Sequence, residues 1–293
     1  MKLLTLNTHS LAEPGYEEKT DIFLRAVLEE RPDVMALQEV NQTAGGEDVS
    51  TVELLASGYM ECPGTMPRVG RDNHAFRAAV RLAAEGFPCF WSWIPAKLGY
   101  EMYDEGTAVF SRRPILEVKQ FYLTGTRDYG NWKTRKALAV KTETENGPGW
   151  FFSLHMGWWK DEEEPFLRQW RALSAVTDSL RRERDVWLMG DFNSPAGVRE
   201  EGYDRVAADG WEDAYVLAEE KGGEITVPGV IDGWRDSGET DGMRMDYIWH
   251  GGPEQEPSSG GWKVLRAGSI FDGKNRPAVS DHFGVTAEYE RRD

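Results

Sequence analysis

The chain has 293 residues, with 34 Lys and Arg against 50 Asp and Glu, and a formal net charge of −16. Its 40% hydrophobic and 29% charged residues are typical of a folded globular protein and exclude a disordered one. No apolar run approaches the ~20 residues of a membrane-spanning helix, and the first residues are too polar for a secretion signal. We therefore predict a cytoplasmic protein with no membrane partner, whose charge disfavours nucleic acid as a partner.

The first half of the chain alternates predicted strands and helices. Ile22, Phe23, Ala26 and Val27 recur at helical spacing before Pro32. Strands are predicted at Lys2–Leu6, Asp33–Val40, Cys89–Pro95 and Gly106–Ser111, and helices at Glu17–Glu30 and Asn73–Gly86. The intervening Asn41–Asn73 is interpreted as mostly loop, and its length suggests a functional loop that borders the substrate pocket.

The second half is dominated by predicted strands around one long helix. The helix, Pro165–Arg182, places large apolar side chains on one face. Strands are predicted at Ile115–Leu123, Lys136–Thr144, Gly149–His155, Asp185–Gly190, Arg244–Trp249, Trp262–Ala267 and His282–Glu288. This order predicts an α/β protein with a two-layer sheet core and helices outside it, in a single domain over residues 1–293.

Polar residues follow several of the apolar strands. Each alone is weak evidence, because Asp191 and Asn193 could form an Asx-turn or a helix cap and a lone His155 is usually a hydrogen-bonded core residue. Together they offer hard oxygen ligands that suit Mg²⁺ better than zinc, and imidazoles that could stabilise charge on a phosphoryl oxygen. The set comprises Asn7, Glu39, His155, Asp191, Asn193, Asp246, Asp281 and His282.

These segments resemble the endonuclease/exonuclease/phosphatase superfamily, which has the DNase I-like fold. The matching segments occur in family order and cover nearly the whole chain: Leu6–Thr8 (LNT), Leu37–Val40 (LQEV), Gly106–Ser111 (GTAVFS), Ser153–Gly157 (SLHMG), Gly190–Asn193 (GDFN), Met245–Ile248 (MDYI) and Ser280–Phe283 (SDHF). The resemblance implies a four-layer α/β sandwich, in which two packed, mainly antiparallel sheets are flanked by helices. It also implies hydrolysis of a phosphoester with Mg²⁺ or Mn²⁺.

The resemblance further implies a role for each polar residue. Glu39 would be the main metal ligand, with Asn7 beside it and Asp281 near the metal. Asp191 would orient or deprotonate a water that attacks in line, without a covalent intermediate. Asn193 and His155 would hold phosphoryl oxygens, and His282, oriented by Asp246, would stabilise the developing charge. His9 departs from the nuclease pattern, which commonly has Asp there; it is assigned to the substrate side, with an ordinary loop side chain as the alternative.

Aromatic residues next to these motifs suggest the substrate class. Tyr103, Trp158 and Trp159 could stack on a sugar ring or a base, although packing is an equally good interpretation of the two Trp. Arg135 could add positive charge for the phosphate. Phrases such as NWKTRK and HMGWWKDEEEPF resemble the bacterial maltose 6′-phosphate phosphatases, which implies a small phosphorylated sugar as substrate.

Two other hypotheses stay open at this point. A nuclease of the same superfamily would need Lys and Arg lining the metal cleft. A scaffold without chemistry would be expected to lack some of the site residues, yet every position of the pattern is filled. The sequence gives no indication of the oligomeric state.

Overall fold

Two β-sheets packed face to face form the centre of the computed structural model, which describes residues 1–229, 242–253 and 261–292. The strands in chain order are β1 (Lys2–Asn7), β2 (Val34–Thr43), β3 (Phe90–Gly99), β4 (Tyr103–Ser111), β5 (Ile115–Tyr122), β6 (Lys136–Thr144), β7 (Gly147–His155), β8 (Val186–Asp191), β9 (Glu212–Asp213), β10 (Glu220–Lys221), β11 (Asp246–Gly251), β12 (Trp262–Ile270) and β13 (Gly284–Arg291). The helices are α1 (Tyr16–Glu30), α2 (Thr51–Ala56), α3 (His74–Ala84), α4 (Phe166–Arg181), α5 (Gly202–Ala208) and α6 (Ala214–Leu217), with a 3₁₀ turn at Ser10–Ala12.

The strand order places β1 and β8 near the middle of their sheets. The seven-stranded sheet has the order β10-β12-β13-β1-β2-β4-β3, and the six-stranded sheet has the order β5-β6-β7-β8-β11-β9. Pairing is parallel for β1–β2, β7–β8 and β10–β12, and antiparallel for the other pairs of named strands. The predicted sandwich of mainly antiparallel sheets is therefore confirmed.

Both faces of the central strands are buried, which explains their continuous apolar sequences. Leu3 of β1 faces the other sheet, whereas Leu4 and Leu6 lie in the layer under α1 and α3. On the other side, Trp170 and Leu173 of α4 pack in the layer that covers the six-stranded sheet. The helices thus form the two outer layers of the sandwich. None of the helices in the described residues has the length and hydrophobicity to cross a bilayer.

The structure differs from the sequence expectations mainly at element ends and in short helices. Within Asn41–Asn73, β2 continues to Thr43, and α2 forms where Ser50 and Glu53 make a capping box. β4 begins at Tyr103 rather than Gly106, since its polar first residues are buried by pairing. β11 begins at Asp246 rather than Arg244, and β13 begins at Gly284 rather than His282. The short elements α5, α6, β9 and β10 have no counterpart among the predicted elements.

Candidate active site

Three of the polar residues lie side by side because their strands are hydrogen-bonded neighbours. His155 ends β7 and is the parallel partner of Asp191, which ends β8. Asp246 begins β11 and is the antiparallel partner of Asp191. The backbone register therefore fixes the row His155–Asp191–Asp246 across the ends of three neighbouring strands of the six-stranded sheet. Asn7, at the end of β1 in the other sheet, reaches this row through its side chain.

Two backbone features position the carboxylates of this site. Gly190 has a φ of 140°, and a Cβ there would collide with the carbonyl oxygen of Leu154 on β7, so the residue before Asp191 has to be glycine. Glu39 lies in the irregular part of the β2–β4 pairing and has a φ of 49°. This left-handed conformation costs a glutamate ~1–2 kcal/mol. The surrounding strands hold Glu39 in it, and its side chain turns towards Asn7.

A buried polar network connects the two sheets beneath the site. The Gln38 amide donates to Ser153 Oγ at 2.9 Å and to Thr5 Oγ1 at 3.2 Å. The Ser153 and Thr107 hydroxyls form one hydrogen-bonded group with the carbonyl oxygen of Leu37, in which one hydroxyl donates to the other and the second donates to Leu37 O. Gln38, Ser153 and Thr107 each belong to one of the recognised motifs, so these motifs also contribute residues with a structural task. Satisfied polar groups between the sheets fix their relative register where the site requires it.

The side chains of the site are within direct or water-mediated reach of one another. Asn7 Nδ2 donates to Glu39 Oε1 at 2.9 Å and to Asp191 Oδ2 at 3.2 Å. His155 lies between the same two carboxylates, 3.9 Å from Glu39 Oε1 and 3.7 Å from Asp191 Oδ2. The Asp191 Oδ1 atom accepts the backbone N–H of Asn193 at 2.8 Å. His282 Nε2 is 3.9 Å from Asp191 Oδ2.

The two histidines of the centre have opposite protonation preferences. Burial opposes protonation of His282, but Asp246, hydrogen-bonded to Nδ1 at 2.9 Å, and Asp191 raise its pKa well above the ordinary value. Burial lowers the pKa of His155, and the nearby Arg135, Lys97 and His282 lower it further. The structure therefore supports a charged His282 beside a neutral His155. A pair of groups whose environments separate their pKa values in this way suits distinct chemical roles.

The carboxylates form an oxygen-rich environment that fits a divalent cation. Burial, Glu105 and Asp281 raise the pKa of Glu39, and burial and Asp246 raise that of Asp191. Their ionised forms are thus destabilised here, and a bound cation would stabilise them. In the part of the chain that the structure describes, two groups of residues each bring three potential ligand atoms within 4.8 Å of one another: Asp191, Asp246 and His282 form one group, and His9, Glu13 and Asp281 form the other. The donors are mostly hard oxygens, as Mg²⁺ and Mn²⁺ prefer.

His9 and Asp281 lie at the more exposed side of the site, together with a residue that was not predicted. His9 Nδ1 is 2.8 Å from Glu13 Oε1, which also accepts the backbone N–H of Asp281 at 3.1 Å. Burial opposes protonation of His9, yet Glu13, Glu39 and Asp281 raise its pKa to about 9. A buried carboxylate thus accompanies the histidine that replaces the expected aspartate. Glu13 lies in an ordinary polar turn, and its sequence offers no signal of this position.

The aromatic residues near the site divide into two groups. The Tyr103 hydroxyl donates to the carbonyl oxygen of Leu11 at 3.4 Å, and its ring meets that of Tyr100, whose hydroxyl is 2.9 Å from His9 Nε2. On the six-stranded sheet, Trp158 forms a tilted pair with Trp132, with ring centroids 5.4 Å apart. Trp159 instead packs against Phe166 of the core, so the structure does not bring it to the Trp132–Trp158 pair.

The loop after β7 carries Trp158 in a fixed position. Gln169 of α4 accepts the Gly157 N–H at 2.8 Å, and Phe166 donates its backbone N–H to Trp158 O at 3.0 Å. Beside Trp158 lies a cleft of about 400 Å³ with a charged rim: Lys133, Lys160, Asp161, Glu162 and Glu163. We call it the Trp158 cleft. Lys133 is paired with Asp161 at 2.8 Å and with Glu163 at 3.0 Å, which leaves the rim acidic overall.

Arg135 connects this cleft with the centre of the site. Its Nη1 donates to the carbonyl oxygens of Trp132 and Thr134 at 2.8 and 3.3 Å, and the residue is 8% exposed. Burial lowers its pKa, whereas Glu105, Glu39 and Asp191 act in the opposite direction. The guanidinium therefore lies between the Trp132 loop and the carboxylates of the site.

The sequence analysis missed Lys97 and Glu105, which form a buried ion pair at 2.9 Å. Both side chains are less than 10% exposed, and both act electrostatically on the site residues. Lys97 follows the predicted end of its strand at Pro95, and Glu105 precedes the predicted start of β4 at Gly106. A Lys and a Glu just outside predicted strands resemble solvated strand ends, so no signal distinguished them.

Comparisons with known proteins agree with this architecture. The sequence profile of the Endonuclease/Exonuclease/phosphatase family matches residues 4–282. An endonuclease/exonuclease/phosphatase family protein from Leptotrichia buccalis C-1013-b has a TM-score of 0.83 and 29% identity, with 99% of each chain covered. A mannosyl-6-phosphatase of Bacteroides thetaiotaomicron has a TM-score of 0.63 and 18% identity, with 99% of each chain covered. D. rerio TDP2 complexed with single strand DNA product has a TM-score of 0.63 and 14% identity, covering 99% of this chain and 98% of the other.

The comparison with curated proteins found no match. The identities with the mannosyl-6-phosphatase and with TDP2 are low enough that these two structures show the shared fold alone. The family profile, in contrast, covers nearly the whole chain and includes every motif from the first strand to His282. The chain therefore belongs to the Endonuclease/Exonuclease/phosphatase family, whose members are metal-dependent phosphoric ester hydrolases.

Proposed function

We propose that the protein is a Mg²⁺-dependent phosphomonoester hydrolase that acts on a phosphorylated sugar in the cytoplasm, with maltose 6′-phosphate as the first candidate. The observation that carries the proposal is the Trp158 cleft, which offers an aromatic wall and an acidic rim next to Arg135. Mn²⁺ would suit the same oxygen donors.

The chemistry of the cleft fits a neutral sugar better than a nucleic acid. Trp132 is 49% exposed, so with Trp158 it can pack against the apolar face of a sugar ring. Asp161 and Glu163 can accept hydrogen bonds from sugar hydroxyls. The same carboxylates would repel the phosphates of a nucleic-acid strand leaving the site, and the net charge of −16 adds to that repulsion.

The proposed roles follow from the contacts of each residue. Glu39, Asn7 and Asp281 would hold the cation, which when bound stabilises negative charge on the phosphoryl group. Asp191, buried and with its Oδ1 fixed by the Asn193 N–H, would orient a water for in-line attack and take its proton. The charged His282, held by Asp246, would stabilise the oxygen on which charge develops.

His155 and Asn193 would hold phosphoryl oxygens on the other side of the reacting group. The neutral state of His155 leaves it one ring N–H donor. Asn193 has a φ of 47°, a conformation that Asn tolerates well, and its Nδ2 donates to Met156 O at 2.9 Å. This second contact ties Asn193 to the loop that carries Trp158. The same residue would therefore contact the phosphoryl group and hold the loop that contacts the sugar.

The same fold occurs in a sugar phosphatase and in a protein that holds a DNA product, so the fold alone does not distinguish a phosphatase from a nuclease. The deciding experiment measures phosphate release with Mg²⁺ from maltose 6′-phosphate, mannose 6-phosphate and glucose 6-phosphate, alongside cleavage of a nicked DNA duplex. Fast release from the disaccharide, with little action on DNA, is the expected result. Cleavage of DNA without turnover of any sugar phosphate would overturn the proposal and favour a nuclease.

A further inference from the structure

Two buried cations flank the candidate active site and come from different sheets. Lys97 of β3 is 7% exposed, and Arg135, just before β6, is 8% exposed. Leu138 of β6 lies opposite Ser153 of β7 in an antiparallel pair, so Arg135, three residues before Leu138, lies beside the end of β7 at His155. Glu105, the partner of Lys97, is two residues before Thr107, which is hydrogen-bonded to Ser153 across the sheets. Buried cations are costly to keep away from water unless they bind anions.

The protein supplies an ion-pair partner for Lys97 but leaves part of the Arg135 guanidinium without a partner. Lys97 is paired with Glu105, whose Oε1 is 2.9 Å from Nζ. Within the described residues, no carboxylate oxygen lies within 4.0 Å of the Arg135 guanidinium. The buried Nε–H of Arg135 also has no hydrogen-bond acceptor in that part of the chain. The Nη1 atom is held by Trp132 O and Thr134 O, so the guanidinium cannot turn freely to find another partner. An oxygen of the substrate would complete this arrangement.

Phosphomonoesters and phosphodiesters differ in the group they can offer here. A terminal phosphate has a second pKa of ~6 and carries nearly two negative charges at neutral pH on three non-bridging oxygens. In a diester, one of these oxygens carries a second ester group, and a single charge is left. A second ester group directed at this position would offer Arg135 no charged acceptor, would leave Lys97 with Glu105 alone, and would add a desolvation cost.

We propose that Lys97 and Arg135 form a subsite for the third non-bridging oxygen of a dianionic terminal phosphate and thereby select phosphomonoesters over phosphodiesters. The inference rests on phosphoester hydrolysis at the proposed site and is independent of which sugar, if any, is the leaving group. Arg135 supplies the unpaired N–H, and Lys97 supplies charge from the facing sheet. Glu105 holds Lys97 in place through their buried ion pair.

The test compares an aryl monoester with an aryl diester, p-nitrophenyl phosphate and bis(p-nitrophenyl) phosphate, in the Mg²⁺-loaded full chain. The variants are Arg135→Gln and the double variant Lys97→Met/Glu105→Gln, which removes both charges of the buried pair together. Lys119→Met, an exposed lysine on β5, is the matched control. Charge-assisted hydrogen bonds of this kind correspond to a ~10- to 100-fold loss in kcat/KM for the monoester.

The expected result is that kcat/KM for the monoester falls in both variants while the value for the diester stays within a few-fold, so that the preference collapses. The inhibition constant of inorganic phosphate should rise in parallel, which a merely structural role would not produce selectively. Lys97→Arg, which keeps charge and ion pair, should retain the preference, and Arg135→Gln alone decides the question if the double variant folds poorly. Equal losses on both substrates, or an unchanged preference, would overturn the subsite.

These outcomes do not depend on whether the substrate is a phosphorylated sugar, because neither aryl substrate contains a sugar. If maltose 6′-phosphate is not hydrolysed but the monoester preference exists and collapses in the variants, the subsite stands and the proposed leaving group is wrong. If sugar phosphates are hydrolysed and the variants keep the preference, the proposed function stands and the subsite is wrong. A wild-type protein that prefers the diester would contradict both.

Discussion

Replacing Asp191 with asparagine should separate chemistry from stability at the centre of the site. The substitution Asp191→Asn conserves size and lets the side-chain oxygen keep the 2.8 Å hydrogen bond from the Asn193 N–H. The amide group then takes the position of Oδ2, which accepts from Asn7 at 3.2 Å and lies 3.9 Å from His282 Nε2. The variant therefore loses the proton acceptor and one contact with Asn7, while the fold keeps its backbone register.

The expected loss of turnover is set by the loss of the base. Positioned general bases contribute typically 10²- to 10⁴-fold, so kcat should fall by about that factor, or about 3–5 kcal/mol in the activation barrier. Phosphate release from p-nitrophenyl phosphate at saturating Mg²⁺ measures it without dependence on the sugar. Asp178→Asn, a half-exposed carboxylate on α4, is the control and should keep full activity.

The free energy of unfolding of Asp191→Asn should change in the opposite direction from its activity. Burial and Asp246 raise the pKa of Asp191, so this carboxyl stabilises the fold most at pH below its unfolded-state pKa. That contribution is lost as pH rises through the folded-state pKa. In metal-free protein, wild type should therefore lose stability relative to Asp191→Asn above about pH 4. Near-normal turnover in the variant would refute the assigned role, and an equal loss of folding and activity would refute the reasoning from geometry.

Three further predictions test other parts of the molecule. Trp158→Ala should raise KM for a sugar phosphate by about 10-fold, because the ring loses its contact with the sugar, but should leave KM for p-nitrophenyl phosphate nearly unchanged; equal effects would make Trp158 a packing residue. Chelation with EDTA should abolish turnover, and Mg²⁺ should restore it and stabilise the fold by about 2.7 kcal/mol at 100 times its Kd; full activity after exhaustive chelation would contradict metal dependence. Burial opposes protonation of His250, but Asp185 and Glu212 raise its pKa, so its ion pairs stabilise the fold at low pH and are lost as pH rises through the raised value. His250→Gln should thus cost about 2 kcal/mol of unfolding free energy near pH 6 and less near pH 9, measured by urea denaturation, and a cost independent of pH would show that packing dominates.

The sequence predicted the frame of the molecule because the central strands carry a strong signal. The strand that ends at Asn7 and the run before Glu39 are apolar on both faces, and a buried strand between two layers requires that pattern. The residues at the ends of these strands then belong to one edge, and the structure places Asn7, Glu39, His155 and Asp191 within hydrogen-bond or ion-pair distances there.

What the sequence could not show depends on contacts between distant segments. Lys97 is buried because Glu105 is its partner across a β3–β4 pairing with an irregular register, and that register is not encoded in local propensity. Glu13 becomes a neighbour of His9 and Asp281 through a turn whose residues look ordinary. Trp158 and Trp159 are adjacent in sequence, yet one pairs with Trp132 and the other joins the core. Only the path of the loop separates their environments.

The row His155–Asp191–Asp246 has a consequence for how such an enzyme can change over evolutionary time. Main-chain pairing of β7, β8 and β11 sets the spacing of the row, so it tolerates changes in segments that do not take part in that pairing. The loop that carries Trp158 begins directly after His155 and is anchored separately by α4. Such a loop can be lengthened, shortened or recomposed while the reacting groups keep their distances. Sequence changes confined to this loop could therefore adapt the enzyme to a new leaving group, while the residues of the hydrolytic centre stay unchanged.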